Sequence, residues 1–430
     1  MEKELTGLQV YKFGGASVKD AAAILNLKHV VETTAQGRPL LIVVSAMGKT
    51  TNALEEIFSL AYNDFDYNPA LQELKRYHTQ VVASLYDAQV GGEHAKLYSH
   101  SDSSTTYFQD LTEALSAIRP GEGDYDQQYD QIISFGELLA SRIVAQALGA
   151  QLLDARRLIR TDHTWREGKV AWATTEQHIK ATLPPLLAQG PVLTQGFIGS
   201  TALGRTTTLG REGSDYSAAI FAYCLHAESV TIWKDVPGLL NADPKIFPDT
   251  VRYPEISYQE TIEMAYYGAS VIHPKTLKPL ADRKIPLRVK SFLNPAAEGT
   301  LIHDCQHPPL APAFIRKTGQ YLVSLESKDF AFISEENLEV IFGALAQARL
   351  KINVMQNSAL SFSVCLDGEP ARLAQAVAAL RAQFRVQYNE GLTLFTIKNY
   401  TPGSVAQLLE GRSVLLEQRT RSTFQVVVRE

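Results

Sequence analysis

The residues best suited to chemistry stand in one run, from Gly196 to Ser217, where glycines and threonines surround Arg205, Arg211 and Asp215. Glycines let backbone N–H groups approach an anion closely, and the alanine-rich segment that follows predicts a helix whose N-terminus attracts negative charge. Arginine binds carboxylates and phosphates through paired hydrogen bonds. A polar surface loop would explain any few of these residues, but their density directly before a helix favours an anion-binding site.

A lysine and two glycines stand at the end of the first predicted strand, at Lys12, Gly14 and Gly15. Backbone N–H groups together with one ammonium group suit a turn that binds a phosphoryl group. Taken alone, the segment is more typical of a tight strand-to-helix turn with a solvated lysine. Its interpretation therefore depends on what else lies at the same edge of the sheet.

A second strand is followed by a segment that imitates the end of a P-loop, Gly48-Lys49-Thr50. The true motif needs a glycine at the position of Val43, so we exclude a P-loop. Ser45 and Thr51 remain as hydroxyl groups above the end of this strand. They are candidates for binding a ligand there.

Acidic residues at two further places allow both a structural and a functional interpretation. Glu137 begins a long apolar helix, where a carboxylate often only complements the helix dipole, but in a cleft it could bind an ammonium group. Asp235 and Asp243 stand on a turn after a strand, where one edge of a nucleotide could lie. His273, directly before a proline, is more typical of a structural turn than of a catalytic base.

The composition predicts two or three packed domains and excludes several classes of partner. The 430 residues are 45% hydrophobic and 20% charged, which allows a sizeable core. A net charge of −5 gives no basic surface for nucleic acid, and no apolar run reaches the roughly 20 residues of a membrane helix. The N-terminus lacks a signal pattern and the three cysteines are scattered, which predicts a cytoplasmic protein with reduced thiols.

Short apolar strands alternate with helical patterns up to about residue 290, which predicts a mostly parallel sheet covered by helices on both faces. Ligands bind such sheets at the carboxyl ends of the strands, where the glycine-rich turns also stand. Residues 63–130 are predicted as helices and loops. The predicted strands are 10–13, 39–44, 152–154, 191–195, 229–233 and 286–289. The predicted helices are 21–34, 51–62, 132–148, 175–187, 214–225 and 257–267.

The proline-rich segment 294–312 predicts a domain boundary, because the pattern changes after it. A complete β-α-β-β-α-β unit follows, and then a shorter β-α-β-β copy up to the last residue. The tail is therefore predicted to be a tandem repeat with a shortened second copy. The predicted domains are 1–294, 315–390 and 391–430.

Taken in order, these motifs resemble those of the aspartate kinases, or aspartokinases, of the amino-acid kinase superfamily. The tail resembles ACT regulatory domains, so the resemblance covers essentially the whole chain. It implies an open, mostly parallel α/β sandwich (αβα) followed by two ferredoxin-like ACT domains. The matching segments are Lys12-Phe-Gly-Gly15, Ser134-Phe-Gly-Glu137, Thr206 to Ser217, Asp235-Val-Pro-Gly238 with Asp243-Pro244, and Gly268 to Pro274.

The resemblance implies transfer of a phosphoryl group from ATP to L-aspartate, giving ADP and 4-phospho-L-aspartate, with Mg²⁺ as cofactor. This is the first step toward lysine, threonine and methionine. The accepting carboxylate is already ionised, so catalysis needs no general base and depends on positioning and charge neutralisation. Lys12 and Asp215 are the implied catalytic residues, Arg211 is expected to bind a substrate carboxylate and Glu137 its ammonium group.

The other implied contacts fall on two sides of the site, and no side chain is assigned as a metal ligand. The implied aspartate-binding residues are Thr51, Glu137, Phe197, Arg211, Ser214 and Asp215. The implied ATP-binding residues are Lys12, Gly14, Gly15, Ser45, Lys234, Asp235, Leu240, Lys245 and Ser270.

The chain departs from the family pattern at five positions. Threonine, tyrosine, arginine and lysine are usual where Lys234, Leu240, Lys245 and Ser270 stand, and Glu212 replaces a glycine. We hypothesise that Lys234 restores the positive charge that is missing at Ser270. These departures bear on the nucleotide contacts and leave the class of reaction unchanged.

Two other functions fit part of the pattern. Another carboxylate or carbamate kinase of the superfamily, such as a glutamate or acetylglutamate kinase, would share the fold, but the ACT-like tail and Glu137 argue against it. An amino-acid-binding regulator with a decayed kinase site would explain the departures. The intact Lys12, Arg211 and Asp215 argue against that second alternative.

The tail contains no group of residues suited to phosphoryl chemistry, so it is predicted to sense an effector. By resemblance, ACT units pair across subunits and bind amino acids at the interface, which implies a homodimer or larger assembly. A strand is predicted over 352–356, and the stretch from residue 353 to residue 361 is also predicted as a turn that offers neutral polar groups, at Asn353, Gln356, Asn357 and Ser358. Aspartate stands at the position of Asn353 in lysine-inhibited relatives, so lysine is the first candidate effector, with weak sensitivity, and threonine the other.

Overall fold

The computed structural model describes residues 6–90, 104–269, 272–307, 310–329 and 331–430. The chain divides into two compact units, each built from three segments. The first unit is Met1–Leu239, Pro254–Ile262 and Ile272–Gln306. The second unit is Leu240–Tyr253, Glu263–Val271 and His307–Glu430. No helix in the described ranges is long and apolar enough to cross a membrane.

An eight-stranded sheet forms the centre of the first unit, in the order β3-β4-β2-β1-β7-β9-β10-β8. Every neighbouring pair is parallel except β9 and β10, which confirms the predicted mostly parallel sheet. A two-stranded hairpin, β5 and β6, stands apart from it. The strands are β1 (Gln9–Phe13), β2 (Leu40–Val44), β3 (Gln151–Leu153), β4 (Val192–Gln195), β5 (Ile198–Ser200), β6 (Thr206–Thr208), β7 (Ser229–Lys234), β8 (Glu255–Ser257), β9 (Leu287–Ser291) and β10 (Thr300–His303).

Helices pack around this sheet because its central strands are apolar on both faces. All five residues of β2 are buried, and the ring of Phe13 stacks on that of Trp233 with centroids 6.1 Å apart. The helices are α1 (Ala21–Thr34), α2 (Thr50–Tyr62), α3 (Asn68–Val90), α4 (Ser104–Ser116), α5 (Tyr125–Ile133), α6 (Phe135–Leu148), α7 (Trp172–Leu187), α8 (Gly213–Leu225), α9 (Tyr258–Tyr267) and α10 (Pro274–Asp282). Two short 3₁₀ helices are Gly15–Val18 and Ala155–Arg157.

The first unit differs from the prediction at three points. The helix predicted over 132–148 is interrupted at Ser134, whose hydroxyl donates to the Gln131 carbonyl, 2.8 Å away, and ends the first helix. The hairpin β5–β6, the strands β8 and β10 and the helix α10 were not predicted. The unit also continues past the predicted boundary at residue 294, because β10 pairs with β9.

The second unit contains a six-stranded antiparallel sheet in the order β12-β13-β11-β14-β16-β15. Its strands are β11 (Ala313–Ser327), β12 (Ile352–Asn357), β13 (Ser361–Asp367), β14 (Phe384–Lys398), β15 (Ser413–Arg419) and β16 (Thr423–Arg429). Its helices are α11 (Glu335–Gln347), α12 (Pro370–Leu380) and α13 (Pro402–Leu409). The order of strands and helices confirms the predicted tandem ferredoxin-like fold.

The two copies of this repeat share two long strands. The second half of β11 pairs with the first half of β14 in one copy, and Ala313–Lys317 pairs with Leu394–Lys398 in the other. The second copy is short along the chain because its closing strand precedes the first copy. The predicted boundary at residue 391 falls inside β14, at Gly391, whose φ of 67° marks the change between the halves.

Candidate active site

A cavity of about 610 Å³ opens at the carboxyl edge of the first sheet. Ten of the residues that the sequence singled out line it, although they come from five separate parts of the chain. They are Lys12, Gly15, Ser45, Thr51, Glu137, Phe197, Arg211, Ser214, Asp215 and Lys234. The carboxyl ends of parallel strands meet at one edge of a sheet, and this is where ligands of such folds bind.

Each part of the cavity is positioned by the end of a strand or the start of a helix. Lys12 is the fourth residue of β1, and Lys234 ends β7, the next strand in the sheet. Ser45 follows β2, and Phe197 comes two residues after β4. Asp215 lies in the first turn of α8, where the helix dipole stabilises negative charge.

An ion pair between buried groups stands at the centre of the site. Nζ of Lys12 lies 2.6 Å from Oδ1 of Asp215, and Nζ of Lys234 lies 3.6 Å from Oδ2. Burial alone would raise the pKa of Asp215, but the two ammonium groups outweigh it and hold that pKa below its ordinary value. Asp215 therefore stays ionised and fixes both lysine side chains at the carboxyl edge.

Close packing explains two of the glycines. A Cβ atom at Gly15 would lie 2.8 Å from the carbonyl oxygen of Ala46, and one at Gly213 would lie 2.6 Å from Cδ2 of Phe197. Larger residues would push apart the segments that form the cavity. Gly14 does not line the cavity but adjoins Lys12, whose Nζ would lie 3.6 Å from a Cβ atom there.

Glu137 is a buried carboxylate in the wall of the cavity. Its side chain is buried, and Oε1 accepts a hydrogen bond from the Ala46 N–H at 3.1 Å. Among the described residues, Oε2 has no hydrogen-bond partner. Burial raises the pKa of Glu137 to about 8, although the Ala46 hydrogen bond and the charge of Lys12 oppose the shift. A cationic ligand in the cavity would supply the partner and the compensating charge.

Arg211 faces the cavity from an exposed turn and, within the part of the chain that is described, makes no hydrogen bond or ion pair. Phe197 is held beside it with φ 68°, and its N–H donates to Oγ of Ser217 at 2.9 Å. Left-handed backbone at a non-glycine residue is strained and is common at binding sites. The guanidinium of Arg211 is thus available to an anion.

Three of the remaining predicted nucleotide contacts, Asp235, Leu240 and Lys245, do not line this cavity. Asp235 is exposed on the turn after β7. Leu240 and Lys245 belong to the second unit, where Leu240 bridges to Arg252 and the Lys245 N–H donates to Oδ1 of Asp243 at 2.9 Å. Ser270 lies outside the described residues. These four assignments stay predictions.

One departure from the pattern, Glu212, has a structural role together with His273. Glu212 adopts φ 53° directly before α8, where a glycine would be unstrained. Its Oε2 accepts a hydrogen bond from the His273 N–H at 2.8 Å. His273 in turn accepts at Nδ1 from the Lys275 N–H and caps α10, which agrees with the predicted structural turn.

Four further polar residues line the cavity that the sequence did not single out, and they are Glu55, Tyr129, Arg166 and Glu167. Glu55 stands four residues after Thr51 on α2, so helical spacing could have placed it on the same face. The other three come from segments with no motif, and only tertiary contacts bring them here.

The predicted effector residues lie in the second unit, mostly on a strand rather than on a turn. Asn353, Gln356 and Asn357 belong to β12, and only Ser358 lies in the turn after it. The strand predicted over 352–356 is confirmed, whereas the turn predicted from residue 353 is wrong up to Asn357, because the polar end of β12 breaks the alternating pattern. Asn353 accepts from Nζ of Lys317 at 2.8 Å and donates to Gln320 and Asp367 at 2.8 and 2.7 Å.

Comparison with known proteins matches most of the chain to one family. Residues 7–291 match the amino acid kinase family. The lysine-sensitive aspartokinase 3 of Escherichia coli (strain K12) is 32% identical over 408 residues, which cover 91% of this chain and 87% of that protein.

Two solved structures of E. coli aspartokinase III are similar in fold and in sequence. The complex with aspartate and ADP, in the R-state, superposes with a TM-score of 0.80 at 30% identity, and covers 98% of this chain and 96% of that one. The complex with lysine and aspartate, in the T-state, gives a TM-score of 0.78 with the same identity and coverage.

Proposed function

The chain belongs to the aspartokinases of the amino acid kinase family, and from this we propose that the cavity at the carboxyl edge of its first sheet binds L-aspartate against ATP. The enzyme transfers the γ-phosphoryl group of ATP to the side-chain carboxylate of L-aspartate and releases ADP and 4-phospho-L-aspartate. One observation carries the assignment of the cavity. Glu137 is buried, has one carboxylate oxygen without a hydrogen-bond partner among the described residues, and lines the same cavity as Arg211, which has no ion pair within those residues.

These two groups match the two charges at the α-carbon of an amino acid. Glu137 takes the ammonium group and Arg211 takes the α-carboxylate, which leaves the side-chain carboxylate free to face the phosphoryl donor. That carboxylate is ionised at neutral pH and attacks the γ-phosphorus directly, so no residue has to remove a proton. Positioning of the two substrates is then the main contribution of the protein.

Lys12 neutralises charge on the transferred group. Its ammonium group stands at the carboxyl edge beside the start of α8, and the ion pair with Asp215 fixes its position before the substrates bind. A charge that is fixed in advance needs no reorganisation during the reaction. We assign Asp215 to holding Lys12 and Lys234 in place, and Ser45 and Gly15 to the phosphate side.

Mg²⁺ is expected to enter with the nucleotide. Asp215 is already neutralised by Lys12 and Lys234, and the one group of three typical metal ligands among the described residues, Glu255, His303 and Cys305, does not line the cavity. Phosphate oxygens and water therefore supply most of its ligands, as is usual for this ion. Mg²⁺ contributes neutralisation of phosphate charge when it is bound.

A panel of substrates in a coupled ADP-release assay tests this assignment. We expect turnover with L-aspartate and a kcat/KM lower by about 10²-fold or more with N-acetyl-L-aspartate, because an acetylated amine leaves Glu137 unpaired. N-acetyl-L-glutamate, which also lacks the ammonium group, should be rejected as well. Comparable kcat/KM for L-aspartate and either acetylated compound would contradict the proposed role of Glu137.

We also propose that the second unit binds an end-product amino acid and that the chain forms a homodimer or larger assembly. The amide of Asn353 is already used by Lys317, Gln320 and Asp367, which supports weak sensitivity to lysine at this position. Inhibition by lysine and by threonine should be measured on the parent and on Asn353→Asp. We expect inhibition of the parent at millimolar levels and stronger lysine inhibition of the variant. No inhibition, together with a monomer in size-exclusion chromatography, would contradict this proposal.

A further inference from the structure

One wall of the active-site cavity consists of side chains that the reaction described above does not use. Glu55 stands one helical turn after Thr51, and the hydroxyl of Tyr129 donates a hydrogen bond to its Oε1. The guanidinium carbon of Arg166 lies 4.2 Å from the centroid of the Tyr129 ring. This wall therefore extends from Thr51, a proposed substrate-binding residue, through Glu55 and Tyr129 to the guanidinium group of Arg166.

The other end of the wall packs on the turn that carries Arg211. A Cβ atom at Gly210 would lie 3.2 Å from the carbonyl oxygen of Arg166 and 2.9 Å from Cγ of Glu167. The Gly168 N–H donates to the carbonyl of Thr208 at 2.8 Å. Arg166 and Arg211 thus stand on two turns in direct contact, and both side chains line the same cavity.

The backbone of Arg166 is strained and is held in place by a buried carboxylate. Its φ is 64°, a conformation that costs free energy for any residue with a side chain. Oδ2 of Asp130, which is fully buried, accepts from the Arg166 N–H at 2.9 Å and from the Thr208 N–H at 2.8 Å. Oδ1 of Asp130 accepts from the Thr208 hydroxyl at 2.8 Å. A buried carboxylate that ties both turns together is evidence that their relative position matters.

The guanidinium of Arg166 is not committed to a strong partner. Its ion pair with Asp126 spans 3.4 Å, and both side chains are about half exposed, at 48% and 47%. Exposed ion pairs of this kind contribute little free energy, so a ligand carboxylate in the cavity can replace Asp126. The cation–π contact with the Tyr129 ring orients the guanidinium group before a ligand binds.

We propose that Arg166 is a second guanidinium for the α-carboxylate of L-aspartate, beside Arg211, and that Asp130 is the positioning residue that presents it. This inference rests on the proposed function of the cavity. L-Aspartate carries two carboxylates, and two guanidinium groups that bind the α-carboxylate together select the orientation in which the side-chain carboxylate meets the phosphoryl donor. Arg166 therefore contributes to specificity and makes no contact with the transferred group.

Replacement of Arg166 by glycine separates this role from a structural one. Glycine adopts φ 64° without strain, so the melting temperature of Arg166→Gly should be unchanged or higher. Loss of charge-assisted hydrogen bonds should raise the KM for L-aspartate by about 10- to 100-fold, with kcat and the KM for ATP within about twofold of the parent. If Arg166→Gly lowers the melting temperature, Arg166→Gln replaces it as the test variant, because glutamine keeps much of the side-chain length but not the charge. The same rise in the KM for L-aspartate is expected for Arg166→Gln.

Lys284→Gly is the matched control. Lys284 is also a cation with positive φ, at 55°, and it forms an exposed ion pair with Asp304, but it does not line the cavity. The same change of backbone strain and charge there should leave both KM values unchanged.

The preference for L-aspartate over its α-amide, which lacks the α-carboxylate charge, is a measurement that a purely structural role of Arg166 would not change. The parent should prefer L-aspartate strongly over this amide, and Arg166→Gly should reduce the ratio of their kcat/KM values by about tenfold or more. An unchanged ratio in a variant of an active parent overturns the inference about Arg166 alone. A parent that does not phosphorylate L-aspartate overturns the proposed function as well, so the two failures are distinguishable.

Discussion

Replacement of Lys12 by alanine should lower kcat by about 10²–10³-fold, which is typical for the loss of a preorganised charge at a reacting centre. Nζ of Lys12 is held 2.6 Å from Asp215 at the carboxyl edge of β1, where the transferred phosphoryl group is proposed to lie. The KM for L-aspartate should change little, because Glu137 and Arg211 remain in place. Both constants can be measured in the coupled ADP-release assay with the second substrate saturating.

Two other lysines provide the comparison. Lys19 is exposed in the same segment, so Lys19→Ala should keep the parental kcat. Lys234 contacts the same carboxylate as Lys12 from β7, and Lys234→Thr should raise the KM for ATP by about tenfold or more while kcat is largely kept. If Lys12→Ala folds like the parent, by circular dichroism and thermal unfolding, and keeps kcat within a few-fold, the proposed catalytic role of Lys12 is contradicted.

The second large effect concerns Glu137 and its dependence on pH. Because burial raises the pKa of Glu137 to about 8 in the free site, the carboxyl is neutral below that pH and must lose its proton to bind an ammonium group. The kcat/KM for L-aspartate should therefore rise with pH up to about 8 and level off above it. Glu137→Gln should lower kcat/KM by about 10²-fold or more and remove this limb of the profile.

The pH profile distinguishes this mechanism from a general loss of structure. A neutral Glu137 resembles glutamine, so the activities of the parent and of Glu137→Gln should converge as the pH falls. Glu167→Gln is a suitable control, since Glu167 lines the same cavity but is exposed and has a distant ion pair with Lys275, at 3.8 Å. Two parallel profiles, with the same limb in Glu137→Gln, would show that another group titrates near pH 8.

The sequence was sufficient to predict the parts of the site that depend on strand ends. Lys12, Ser45 and Lys234 were placed correctly at one edge because each follows or ends an apolar strand and all these strands are parallel. The segment before α8 could be identified because glycines and charged residues are concentrated in it. Both signals come from short stretches of sequence, and predictions from such stretches hold where the strands and helices are regular.

The wall formed by Tyr129 and Arg166 could not be predicted in this way. Arg166 stands in a turn without a motif, and it is held at the cavity by backbone N–H groups of two turns that donate to Asp130, which is distant in the sequence. The polar residues near Asn353 allowed both a strand and a turn to be predicted there, and hydrogen bonds with Lys317 and Asp367 from other strands satisfy the Asn353 side chain in the structure. Contacts of this kind depend on the assembled sheet and leave no periodic pattern in the sequence.

The sharing of β11 and β14 between the two copies of the repeat has a consequence for how the chain is made. During synthesis, Ala313–Lys317 leaves the ribosome before the entire first copy, and its partner Leu394–Lys398 follows only after it. The segment Ala313–Lys317 of β11 therefore stays unpaired until β14 has been made, and an unpaired strand slows folding and favours association with other chains. Because the two copies share β11 and β14, we expect the second unit to unfold in one step. A fragment that ends near residue 390 would contain the segment Ala313–Lys317 without its partner strand.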